Sequence, residues 1–146
     1  FPFLGRESYF LLFGKKGFYE NQILIDYEKI DSFIKDFKVL VNIYMPSITL
    51  FSIKAMSGKH EYLRFEGNKI CLTFDVVNKI KNLNFINELD KLYVKYKVIP
   101  SIIKDSRIKK EIFNKCYIFA DKFRDDLRKF DSKRIYRSEL SDRLDL

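Results

Sequence analysis

Lys69-Ile70-Cys71-Leu72-Thr73-Phe74-Asp75 alternates without a break, so an extended chain puts Ile70, Leu72 and Phe74 on one side and Lys69, Cys71, Thr73 and Asp75 on the other. This spacing predicts a half-buried strand whose apolar side packs on helices and whose polar side is free for chemistry. Upstream, Gly67-Asn68 reads as a turn, preceded by a short strand near residues 62–65 and by a turn at Gly58-Lys59. Residues 47–56 read as another strand, set off by the chain-breaking Pro46. Residues 19–25 are rich in β-formers and end at Asp26, a candidate N-cap for a helix over 27–38. In that helix Ile30, Phe33, Ile34 and Phe37 form one stripe, opposite Glu28, Lys29, Asp31, Lys35 and Asp36.

Downstream, residues 82–97 predict a long amphipathic helix with Leu83, Ile86, Leu89, Tyr93 and Tyr96 as its buried stripe. Val98-Ile99-Pro100 is a short extended piece, and helices follow over roughly 109–117 and 120–130. Strands joined by short connections, with helices before and after them, argue for an α+β fold: an antiparallel sheet with helices packed on one face. The length of 146 residues suits one domain, 1–146, with a single core.

Composition narrows the function classes. A hydrophobic fraction of 47% and an aromatic fraction of 16% exclude a disordered chain. No apolar run approaches a membrane span and no signal peptide is legible, so a soluble, cytoplasmic protein is expected. Phe1-Pro2-Phe3-Leu4 starts the chain without Met in an apolar run and reads as the interior of a longer protein. The net charge of +8 would suit a polyanion, but the 28 Lys and Arg are scattered among 20 Asp and Glu, and the aromatics follow core periodicity rather than an exposed stacking array. Nucleic acid is therefore not the expected partner. Cys71 and Cys116 form no disulfide framework, and the single His60 has no metal-ligand spacing around it. Neither a G-x-G-x-x-G nor a G-x-x-x-x-G-K-[ST] turn is present, and Gly14-Lys15-Lys16-Gly17 is only a basic turn. With one His there is no Ser-His-Asp triad. Composition and spacing alone stop at a basic α+β domain of open function.

Several segments go further. Lys104-Asp105-Ser106-Arg107, Asp131-Ser132-Lys133-Arg134 and the closing Arg137-Ser138-Glu139-Leu140-Ser141-Asp142-Arg143-Leu144 resemble the C-terminal part of FAD-linked oxidases of the vanillyl-alcohol oxidase architecture, and above all the decaprenylphosphoryl-ribose oxidase type. Leu12-Phe13-Gly14-Lys15-Lys16-Gly17-Phe18 is similar to that family's LYG-x-x-GF segment, Ile53-Lys54-Ala55-Met56 to its lysine-bearing strand, and Ile70-Cys71-Leu72-Thr73-Phe74 to the strand that faces the flavin. Three positions depart from the pattern: Glu20 stands where a second glutamine is usual, Met56 where an aromatic is common, and Lys69 where an asparagine occurs.

The resemblance implies the substrate-binding (cap) domain of a longer enzyme, whose FAD-binding domain precedes it and holds most of the cofactor. It implies oxidation of a sugar hydroxyl, glycosyl or polyprenylphosphoryl-pentose in type, with hydride transfer to flavin. Lys104 takes the catalytic place, as the cation beside the flavin or the partner of the substrate hydroxyl. A buried ammonium can also act as a base, so the two roles stay open. Gln22, Lys54, Met56, Lys69 and Cys71 would line the sugar pocket, with Cys71 and Lys104 also against the flavin. Asp105 and Arg107 are expected to be structural, as an ion pair or cap. Lys122, Arg124, Arg128, Lys129 and Lys133 read as a solvated helix face, although a polyprenyl-phosphate substrate would give them work at a membrane surface. A sugar-1,4-lactone oxidase domain and a basic polyanion-binding module are the alternatives. An isolated cap domain is further expected to expose an apolar patch and to self-associate.

Overall fold

The computed structural model describes residues 16–146. The apolar opening Phe1-Pro2-Phe3-Leu4 and most of the Leu12 to Phe18 segment lie outside the described residues. Among the described residues four strands make one antiparallel sheet in the order β2-β3-β1-β4, with β1 Phe18–Ile25, β2 Ile48–Met56, β3 Lys69–Val77 and β4 Ile99–Pro100. Five α-helices accompany it among these residues: α1 Ile30–Tyr44, α2 Leu83–Tyr96, α3 Lys110–Cys116, α4 Ala120–Phe130 and α5 Glu139–Leu144. The expected α+β architecture is present, and no helix among the described residues is long and apolar enough to cross a membrane.

The apolar side of β3 meets α1 and α2 as its alternation requires. Phe37 of α1 lies 5.1 Å, ring centre to ring centre, from Phe74, 6.0 Å from Phe85 of α2 and 6.2 Å from Phe51 of β2. Helix α1 runs further than its first stripe suggested, because Leu40, Val41 and Tyr44 continue the packed face up to Met45, where the backbone turns left-handed just before Pro46. Asp26 does not cap with its side chain. It precedes a 3-10 turn, Tyr27–Lys29, and its carboxylate is taken by Lys29 and Lys69 instead.

Two other expectations are corrected. Residues 62–65 are a turn at Tyr62 and Leu63 followed by irregular chain rather than a strand, and Tyr62 adopts a positive φ of 49° that no strand position tolerates. The buried stripe of α2 is Phe85, Ile86, Leu89, Asp90, Leu92 and Tyr93, while Leu83 is exposed. Ile86, Leu89 and Tyr93 are buried as expected, and the stripe is broader because the helix packs on two partners, α1 and α3. Helix α3 packs against α2 and β4, and α5, which the sequence reading did not assign as a helix, packs against α3.

Helix α2 ends in a Schellman motif: Val98 N–H bonds to Tyr93 O at 3.1 Å and Lys97 N–H to Val94 O at 3.2 Å. The left-handed residue at its centre is Lys97, φ 52° and ψ 44°, exposed to solvent. A Cβ is strained there, so Lys97→Gly is expected to stabilise the fold by about 0.5–1 kcal/mol in urea unfolding, net of the extra freedom glycine gives the unfolded chain. An unchanged or lower midpoint would mean that the lysine stem contributes more than the strain costs.

Candidate functional site

Sheet register decides which predicted residues share a face. Glu20 pairs with Asp75, Gln22 with Thr73 and Leu24 with Cys71 between β1 and β3. On the other side of β3, Leu50 pairs with Asp75, Ser52 with Thr73, Lys54 with Cys71 and Met56 with Lys69. Directly opposed residues of an antiparallel pair point to the same side. Gln22, Lys54, Met56, Lys69 and Cys71 therefore all lie on the sheet face opposite α1 and α2. Lys104 is brought to the same face from the turn after β4, with its Nζ 3.4 Å from Glu20 Oε2. All six predicted residues thus converge on one surface, from three strands and one loop.

They do not converge as six free groups. Cys71, Thr73 and Asp75 are 1%, 8% and 3% exposed, so the polar side of this strand is not open as its alternation suggested. The donors nearer solvent are Lys54, Lys104, Gln22 and Ser52. Lys69 spends its ammonium on Asp26, which Lys29 also holds at 2.7 Å. Burial alone would raise the Asp26 carboxyl, but hydrogen bonds from Lys29 and Lys69 and their charges keep it below its ordinary value. Met56 is half-buried and packs against the core.

Behind this face lies a buried polar network that sequence reasoning only partly found. Arg107 donates to Asp90 Oδ1 at 2.6 Å and to Asn21 Oδ1 at 3.0 Å, and its Nη2 lies 3.2 Å from Asp105 Oδ2. The Arg107 backbone N–H donates to Asp105 Oδ1 at 3.0 Å, and Tyr93 OH donates to Asn21 Oδ1 at 3.2 Å. Burial raises the Asp105 carboxyl and raises the Tyr93 phenol strongly. The expected Asp105–Arg107 pair is there. Asp90 and Asn21 were missed, and their signal was available: a carboxylate inside the apolar stripe of α2 and an amide on the apolar side of β1.

Other readings resolve into local structure. Arg124 is not on a solvated face: it is buried, donates to Asp145 O at 2.7 Å, Leu144 O at 2.9 Å and Asn114 Oδ1 at 2.6 Å, and so ties α5 to α3. Arg128 and Lys129 pair with Asp125 and Asp126 on the surface of α4. In Asp131-Ser132-Lys133-Arg134, the Asp131 carboxylate accepts the N–H groups of Ile135 and Tyr136 at 2.9 and 2.8 Å and fixes a turn. In the closing segment Ser138 and Ser141 form a reciprocal capping box, with bonds of 3.1 and 2.8 Å, that starts α5. His60 packs beside the rings of Tyr117 and Phe119, its Nδ1 2.7 Å from Arg64 O. It lines a cleft of about 340 Å³ with Lys59, Glu61, Tyr62, Phe119 and Lys122, none of them a predicted site residue. Among the described residues no group of His, Cys, Asp and Glu is arranged to hold a metal.

Both cysteines are free and buried, and burial pushes the Cys116 thiol up to about 12. Neither is expected to react with a bulky aromatic disulfide in the native protein. Thiol release at 412 nm should appear only as denaturant unfolds the chain, and prompt native labelling of Cys71 would show that the sheet face is more open than its burial implies.

Comparison with known proteins adds no assignment: no protein-family model and no curated protein matches the chain.

Proposed function

We propose that this chain is the substrate-binding domain of an FAD-dependent oxidoreductase that oxidises a sugar hydroxyl. The observation that supports this reading is the convergence of Gln22, Lys54, Met56, Lys69, Cys71 and Lys104 on one sheet face, a placement that the register produces independently of the motif resemblance. Among the described residues no glycine-rich turn leads into a helix N-terminus, so nothing there is built to cradle the phosphates of a dinucleotide. The exposed donors on the sheet fit instead the polar edge of a flat ring and the hydroxyls of a sugar. FAD, held mainly by another domain, would supply the hydride acceptor.

This chain's own residues then orient and polarise. Lys54 and Gln22 present donors to sugar oxygens. Lys104 places its ammonium where the substrate hydroxyl and the negative charge of the transfer meet, which favours the reaction electrostatically. Glu20, the other half of the Lys104 pair, takes the place at which the family pattern has a glutamine, and it keeps this cation on the sheet face. Cys71 and Thr73, 3.9 Å apart through Sγ and Oγ1, form a buried floor rather than a nucleophile.

The test is flavin retention and reduction. The full-length gene product is expected to purify with stoichiometric FAD and to bleach anaerobically with the correct sugar or polyprenylphosphoryl sugar, whereas the present chain alone should carry no flavin absorbance. A full-length protein without flavin, or stoichiometric flavin on this chain alone, would overturn the reading. Lactones run beside phospho-sugars separate the two substrate classes.

A further inference from the structure

Glu20 and Asn21 are consecutive in β1 and so leave the sheet on opposite faces. Each grips the same loop. Glu20 meets Lys104 at 3.4 Å on the polar face, and Asn21 accepts from Arg107 at 3.0 Å on the helix face, so the turn after β4 straddles the edge of β1. Its first residue is fixed as well: Ser101 N–H donates to Gln22 O at 2.7 Å, and Ser101 O accepts from Lys104 N–H at 3.1 Å and Asp105 N–H at 2.9 Å. Asp105, next to Lys104, is held on the far side by Arg107, whose guanidinium is in turn held by Asp90 from the middle of α2 at 2.6 Å.

We infer that Asp90 is a positioning residue for Lys104, acting through Arg107 and Asp105. This rests on the reading of Lys104 as the functional ammonium. Only the backbone between Lys104 and Asp105 separates the exposed amine from a network locked to a helix and a strand. A lysine on a flexible stem searches a wide volume, and clamping the backbone at its base narrows that search to the sheet face. Stability alone is a poor reason for such a network, since well-packed apolar residues commonly serve as well as buried ion pairs. Three charged groups inside the fold, one more anion than cation, are better understood as setting the register of the loop that carries Lys104.

Asp90→Asn keeps the volume and removes the charge, and Arg107→Lys keeps the charge and removes the fork. Competitive acetylation of the native protein, read peptide by peptide, reports the reactivity of each lysine. In both variants Lys104 is expected to label about two- to fivefold faster, the range set by losing a half-exposed pair with Glu20, while Lys109 and Lys110 keep their rates. In the complete enzyme the same variants should reduce flavin about tenfold more slowly at unchanged substrate affinity. Unchanged Lys104 labelling in both variants, or a rise shared by Lys109 and Lys110, would overturn positioning in favour of a merely structural network. Faster Lys104 labelling combined with wild-type flavin reduction in Lys104→Met would support the clamp on the loop but remove the ammonium from the reaction, so that the reading of Lys104, and not the clamp, would fall.

Discussion

If the proposed function holds, replacing Lys104 by methionine in the flavin-containing protein is expected to slow reduction of the flavin by its sugar about 100-fold, the usual scale for removing one group that stabilises developing charge. Methionine keeps most of the stem and loses the charge and the donors. The fold should survive, because the side chain is half-exposed and its ion pair among the described residues is with Glu20, itself partly hydrated. The change should fall on the reduction step rather than on substrate affinity. Lys110→Met is the control: its partner is Asp145, at 2.7 Å on the surface of the C-terminal helices, and its loss should change little. Anaerobic stopped-flow at the flavin band measures both. If both variants reduce flavin at the wild-type rate, Lys104 is a surface residue and the site built around it falls.

Arg107→Met should cost more stability than any surface change, about 3–5 kcal/mol near neutral pH, because it strands the carboxylates of Asp90 and Asp105 in the interior. The deficit has a pH signature. Burial already raises the folded-state Asp105 carboxyl above its ordinary value, against the pull of Arg107. A carboxyl raised on folding binds its proton more tightly in the folded state, so it favours the fold at low pH and costs stability as pH rises from the unfolded value near 4. Without Arg107 the shift grows, so the deficit should widen from acid to neutral pH and narrow again below about pH 4. Urea titrations at several pH values test this, and a deficit independent of pH would mean that Arg107 acts by packing its stem alone.

The residues explain how far the sequence could be read. Alternation in β3 and the four-residue stripe of α1 gave the layers, because a single partner face dictates a single period. Where an element has two partners the buried face widens, which is why the stripe read for α2 held Ile86, Leu89 and Tyr93 but left out Phe85 and Leu92. The common face of Gln22, Lys54, Met56, Lys69 and Cys71 is a product of strand register, which no single strand's pattern encodes. Asp90 and Asn21 went unnoticed because a polar residue in an apolar stripe gains meaning only from its partner, and Arg107 lies 17 and 86 residues away in the chain. The capping box of α5 was visible as Ser138 and Ser141 three apart, but was read for its resemblance instead of its hydrogen bonds.

The strand order also sets when the fold can form. Strand β1 comes first in the sheet, yet both of its neighbours, β3 and β4, lie at least 44 residues further along the chain. During synthesis it must wait, with both edges unpaired and Ile23, Leu24 and Ile25 in succession, until residue 77 has left the ribosome. The β2–β3 hairpin is local and can close first, offering its β3 edge as the template on which β1 docks. Any change that delays that hairpin, such as a bulky residue at Gly67 with its φ of 157°, prolongs the exposure of an aggregation-prone strand and should lower soluble yield more than it lowers the stability of molecules that do fold.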